Sequence, residues 1–402
     1  MVLLLGPVAM LNYLDRQMLA AMKFSVMDDI PSIGTEAHCG IMLGQFKWVY
    51  AFLSPIGGYV ADRFGRRFTI CASLFVWSVI TWWTGHAHTY AELLRARSLM
   101  GISEAFYMPA ALALIVGHHT GRTRSRAVGL HQMAMYFGVL AGGFGGYVAE
   151  APALGWRMAF DRCGKFGMLY AVPLLLLLRD APRSHESAPA SRLSPLAAVK
   201  QLATNLSFIL LVLYFTLPAL AGWVVRDWMP AILKQRFDIP QGKAGLAATC
   251  YWQVAAMIGA LAGGWLADRW MQRRERGRIF VSALGMSLII PAMFGIGNAG
   301  SLALAVTFLM LFGLGWGCFD CNNMPILCQI VRPELRATGY GLMNLISISC
   351  GGLADWGFGT LRDHQVPLSQ IFGVFASTAV LSVVLVLMIR PRRELAAPES
   401  GL

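Results

Sequence analysis

Four ionisable residues stand where the surrounding sequence is apolar. Asp15 and Arg16 are adjacent in LNYLDRQMLAAMKF, and Arg97 and Glu104 bracket Gly101 in RARSLMGISEAFYMPAALALIV. Seven helical residues at about 100° each return to within about 20° of the starting direction, so Arg97 and Glu104 share one face roughly 10 Å apart along the axis. In hydrocarbon an unpaired charge costs at least about 2.5 to 3.5 kcal/mol, so each should face protein or a water-filled cavity. In a fold that sets these two segments side by side, Asp15 or Glu104 can pair with Arg97 or Arg16. A guanidinium fork grips carboxylates and phosphates bidentately, so an anion would compete with the protein's own acids for the same arginine. Protonation of an acid frees its arginine, which couples anion binding to proton binding. No nucleophile sits with a base, so bond-making chemistry is not indicated and the chain reads as no enzyme.

Such charges have this meaning only if the solvent around them is lipid. The chain is 56% hydrophobic and 13% charged, well below the roughly 25% charged of an ordinary soluble domain. About twelve apolar runs are long enough to cross a bilayer, which takes roughly 20 helical residues; they centre near residues 12, 50, 77, 105, 138, 168, 217, 255, 288, 311, 348 and 379. Lipid offers the backbone no hydrogen bonds, and these runs are continuous rather than alternating, so helices are expected and not a barrel. The first run lacks a basic leader and continues through charge, which makes it a membrane helix rather than a signal peptide.

Lys and Arg crowd into alternate connections: DRFGRR, GRTRSRA, residues 179–200, DRWMQRRERGR, RPELR and the tail RPRRE. The positive-inside rule puts those connections and both termini in the cytoplasm, which predicts a multi-pass protein of the cell (inner) membrane. The net charge of +12 is thus mostly a topology signal, and no basic-aromatic clustering points to nucleic acid. Cys318 and Cys321 form a CxxC without a second pair, and His118, His119 and His131 lack metal-site spacing, so neither a metal nor a cofactor is expected.

The Ser-, Pro- and Ala-rich segment RDAPRSHESAPASRLSPLAAVK is the one long polar break, and it splits the spans six and six. The predicted organisation is a bundle over residues 1–178, a cytoplasmic linker over 179–203, a second bundle over 204–392 and a cytoplasmic tail over 393–402. GGYVADRFGRR recurs as GGWLADRWMQRR, and SRAVG as LRATG; Asp62 and Asp268 lie nearly as far apart as Arg126 and Arg336, which argues duplication.

Parallel six-helix repeats with a G-x-x-x-D-R-x-G-R-R loop resemble the major facilitator superfamily, whose two bundles rock about a midplane site. The resemblance implies an all-α integral membrane fold of 12 transmembrane helices, in a carrier working by rocker-switch alternating access as a monomer. Gly58, Asp62, Arg63, Gly65, Arg66 and Arg67 would form a cytoplasmic gate: glycines for close approach and a tight turn, Asp62 as acceptor for arginines or a helix N-terminus. The second copy keeps Gly264, Asp268 and Arg269 but has Met271 in place of the glycine.

NYLDR with R-x-x-x-G-x-x-E-A, Pro109 and GWR at Gly155 to Arg157 resemble the anion:cation symporter branch. That resemblance implies proton coupling at Asp15 and Glu104, substrate or gating roles for Arg16 and Arg97, and proton-coupled symport of a small organic anion such as a sugar acid or carboxylate. GISEAFYMPA with Tyr107 equally resembles the spinster branch, which implies a lysolipid, amphiphile or drug exporter of the same fold. CFDCNNMP matches neither pattern. Further substrate contacts are expected from Tyr13, Tyr107 and Tyr136, from Arg226, and from Asn322 and Asn323 beside a kinking Pro325. Lys47 is a third cationic contact or a snorkelling lysine.

Overall fold

The computed structural model describes residues 1–119, 123–180 and 195–392, without the side chains at 58, 59, 62, 124, 125, 195 and 196. Most of the expected linker and the tail therefore lie outside the described residues. The described chain is helical: α1 Val2–Ala21, α2 Lys23–Asp29, α3 Glu36–Phe64, α4 Arg66–Thr84, α5 Tyr90–Ala105, α6 Tyr107–His118, α7 Arg124–Gly143, α8 Gly145–Glu150 and α9 Gly155–Leu177 precede the linker. After it come α10 Pro195–Ala203, α11 Leu206–Phe237, α12 Gln241–Met271, α13 Gly277–Asn298, α14 Leu302–Ile330, α15 Arg336–Asp363 and α16 Leu368–Met388. Hydroxyl caps start three of them. Thr35, Thr89 and Ser301 accept from backbone N–H groups three residues on, at 3.1, 3.2 and 3.3 Å.

Six stretches of described helix are long and apolar enough to cross a membrane by length and composition, among them Tyr90–His118, Leu206–Phe237 and Leu368–Met388. Val2–Ala21 is outside that set because Asn12, Asp15, Arg16 and Gln17 interrupt it. The fourth span, expected as one helix, runs from Tyr90 to His118 with a one-residue irregularity at Phe106, whose backbone stays helical. Pro109 supplies the reason: it has no N–H, and its ring bars the carbonyl of Ala105 one turn back. The fifth span has a similar one-residue irregularity at Phe144, between α7 and α8, with no proline beside it.

The chain divides into two compact units. In the first, α1 lies along α7, α4 along α9 and α3 along α5. At Gly138 a side chain would strike the backbone of Met10, so glycine there lets α7 lie directly on α1. Trp77, Leu74, Tyr107, Leu114 and Leu5 form the core below the charged level. The same unit takes in Val224–Cys250 and Gly351–His364, the later part of α11, the first part of α12 and the end of α15. In the second unit α13 packs on α14 and on α16. The α4 to α9 pairing within the first half and the α13 to α16 pairing within the second each set a third span on a sixth, as duplication predicts.

Candidate functional site

Arg16 and Glu104 meet in the first unit. Arg16 donates from Nε at 2.7 Å and Nη2 lies 2.6 Å away, both against Glu104 Oε2; the Glu104 side chain is fully buried and that of Arg16 is 12% exposed. Glu104 Oε1 is buried without a hydrogen-bond partner. The Arg16 guanidinium lies 5.1 Å from the Tyr13 ring centroid, 4.6 Å from that of Phe46 and 5.0 Å from that of Tyr50. This ring box holds a cation by quadrupole attraction and keeps water from it.

Arg97 occupies another position over Phe46, at 4.8 Å. It is 3% exposed. Among the described residues its hydrogen bond goes to a thioether, Met100 Sδ at 3.3 Å, and no carboxylate lies within ion-pair distance. Gly101 allows this: the carbonyl of Phe46 is 2.8 Å from where a side chain would begin, so α5 rests against α3 and sets Arg97 and Glu104 at the level of Phe46. Asp15 faces away towards α4. Its Oδ2 is bonded to the Thr81 hydroxyl, which is also 3.0 Å from the carbonyl of Trp77, while Oδ1 is bare. One hydroxyl proton serves two acceptors, so Thr81 can donate to an ionised Asp15 or accept from a protonated one while donating to Trp77. The group thus has one closed ion pair, one buried arginine without a carboxylate partner, and one acid matched to either protonation state.

Other expected residues fall in different places. The Tyr13 ring stands between two guanidiniums, with Arg226 at 5.3 Å on α11. Lys47 does not snorkel; it is buried, 2.5 Å from Asp227 Oδ2 and bonded to Asp355 Oδ2 as well. Tyr107 belongs to the core and shares a 2.8 Å hydrogen bond with the buried His131. Tyr136 is partly buried on α7. Asn322 and Asn323 are buried on α14 of the second unit, where Asn322 donates to the carbonyl of Cys318 at 2.9 Å and Asn323 lies beside Asp320.

Of the expected gate, the side chains of Gly58 and Asp62 lie outside the described residues. Gly65 has φ +94°, a backbone that side-chain-bearing residues rarely adopt, and it turns α3 into α4. Arg66 donates to the carbonyl of Ala113 at 2.8 Å, and the backbone N–H of Arg67 to Asp180 Oδ1 at 2.8 Å, so Asp180 caps α4. Arg63 is exposed. In the second copy Asp268 is 75% exposed and 3.5 Å from Arg278, and Arg269 lies over Trp265.

Sequence reasoning missed Thr81, Asp180 and Asp355. Asp355 was findable, since GLADWGF sets a lone acid in an apolar run as conspicuously as LNYLDRQ does. Nothing local marks Thr81. Arg157 of the GWR motif is structural: it donates to Asp29 at 2.7 Å and to the carbonyls of Gly85 and Ala87 at 3.1 and 2.6 Å.

A model of the Major Facilitator Superfamily matches residues 5–354. The chain is 31% identical over 372 residues to Protein spinster homolog 1 of Bos taurus, covering 84% of this chain and 68% of that one. An MFS-type efflux pump of Mycolicibacterium smegmatis is 26% identical, covering 89% and 83%. Among solved structures, a bacterial homolog of the human lysosomal transporter Spinster in an inward-facing, occupied conformation superposes with a TM-score of 0.76 at 20% identity, covering 96% of this chain and 94% of that one. A nucleoside transporter has the same fold, with a TM-score of 0.78 at 13% identity and coverage of 96% and 99%.

Proposed function

Since the chain belongs to the Major Facilitator Superfamily, whose members carry small molecules across a lipid bilayer, we propose that it moves a small organic anion, a sugar acid or carboxylate, together with protons. The supporting observation is Arg97, a buried guanidinium held on an aromatic face and a thioether with no carboxylate against it. A buried cation without a contacting counter-ion is costly unless another group supplies the charge at some stage of the cycle. A substrate anion would bind at Arg97, and Glu104 would take up a proton, opening the Arg16 pair so that a second guanidinium turns to the substrate. Asp15 would carry or relay the proton through Thr81. Alternating access then exchanges the loaded site between the two faces. The inner membrane as location and cytoplasmic termini belong to the same proposal.

The 31% identity to spinster homologues favours a second reading, in which the anion is the head group of an amphiphile such as a lysolipid. Of the two branches that the motifs resemble, this one is represented among the relatives. Proteoliposome uptake of glucuronate, succinate and a lysophospholipid, each with and without a pH gradient, decides between them. The first reading expects gradient-driven accumulation of one of the soluble acids. Accumulation of the lysophospholipid alone would replace it with the second, and transport indifferent to the gradient would remove proton coupling.

A further inference from the structure

Lys47 is engaged by two acids. It is 4% exposed and joins three helices: α3, which carries it, α11 through Asp227 and α15 through Asp355, which are 7% and 0% exposed. We propose that Lys47, Asp227 and Asp355 form a second proton-binding site, distinct from Glu104 and Asp15, whose loading unties α15 from α3.

One ammonium faces two carboxylates, so the triad carries one excess negative charge in a setting that water does not screen. Among the described residues Asp355 Oδ1 is buried and accepts no well-formed hydrogen bond, the Trp228 indole being the other polar group beside this carboxyl, so Oδ1 is the open position for a proton. A proton added there forms an O–H bond, makes the triad neutral, and leaves Lys47 in an ion pair with Asp227. Asp355 then holds the ammonium only as a neutral carboxyl, a weaker acceptor than a carboxylate.

The surrounding charges favour this order. Asp227 follows Arg226 directly on α11 and is 7% exposed, whereas Asp355 is 0% exposed, so Asp355 is the more deeply buried of the two acids. Arg16 is paired with Glu104. Lys23 on α2 is paired with Glu36 and lies over the Trp228 ring at 4.5 Å. Asp363 at the end of α15 accepts from the backbone N–H groups of Glu36 and Ala37 at 2.9 and 2.8 Å, an exposed contact that water replaces readily. Elsewhere the α3 to α15 seam is closely packed. A side chain at Gly40 would begin 2.8 Å from the Trp356 Cα, and one at Gly44 would begin 2.7 Å from the carbonyl oxygen of Gly352. Trp48 on α3 also packs its indole on Gly352, so among the described residues the triad is the buried ion-paired tie across a seam otherwise held by close packing and the exposed Asp363 contact.

Cys39 reports on it without a substrate. It is 1% exposed and lies on α3 between Glu36 and Gly40, both of which touch α15. In the full chain with Cys39 as its only cysteine, reconstituted in liposomes, labelling by a membrane-impermeant methanethiosulfonate is compared with the same chain carrying K47M, D227N and D355N. Dividing the two rates at each pH cancels the intrinsic reactivity of the thiol. The parent should label about tenfold more slowly than the triple variant at pH 8 and equally fast at pH 5. D355N alone should label faster than the parent at pH 8 and lose most of the pH dependence. It also carries the test if the triple variant does not insert, with the parent as its reference. Equal rates at pH 8 would show that the triad ties nothing. A slow parent rate unchanged down to pH 5 would show a tie that protons do not release, and either result overturns the proposal.

Discussion

Glu104 gives one carboxylate oxygen to Arg16 and keeps the other bare, while Arg97 on the same helix face rests on Phe46 and Met100. Two arginines and one ring therefore separate two roles, a guanidinium held by an acid and one held by none. If Glu104 carries the coupled proton, Glu104→Gln mimics its loaded form permanently. The variant should exchange substrate across the membrane and lose accumulation driven by a pH gradient, which counterflow and gradient-driven uptake measure separately; undiminished accumulation would remove Glu104 from the coupling. Arg97→Lys keeps the charge and loses the fork. It should weaken anion binding by about 1.5 to 3 kcal/mol, read as a rise of roughly tenfold to a hundredfold in Kd by titration calorimetry. These charged residues were visible in the sequence because hydrocarbon makes any charge conspicuous. Thr81 was not, because a hydroxyl on an apolar helix commonly bonds back to its own backbone, and only the approach of α1 to α4 sets Asp15 against it.

At the scale of elements, the turn from α3 to α4 depends on Gly65 and Asp180. A side chain at φ +94° stores about 1 to 3 kcal/mol of strain, so Gly65→Ala should lower the apparent Tm of the purified protein, with scanning calorimetry as the check. Asp180→Ala should lower it less, since it removes a single exposed cap. The motif that predicted this turn placed its acid at Asp62, yet the cap on α4 comes from beyond α9. A loop motif describes its own segment and is silent about which distant residue folds onto it. The irregularity at Phe106 was half legible: Pro109 was in view, but how far a proline disturbs a span depends on what packs beside it.

For the whole molecule, an even number of spans would put the two termini on one face, and the proposed orientation, drawn from the basic connections, makes that face the cytoplasmic one. A protease site added at either end should resist cleavage in intact spheroplasts and be cut after permeabilisation; cleavage of one end alone would break the even count. Membrane residence, helical spans and buried charge followed from the sequence itself, because a backbone without water must bond to itself and a charge without water must find a partner. Which partner it finds was decided by tertiary structure alone. Arg16 meets Glu104 across 88 residues, and Lys47 meets Asp227 and Asp355 across 180 and 308. Helical periodicity orders neighbours within a few turns, whereas these contacts are set by which helices lie side by side, and that choice is made by the packing of the whole chain.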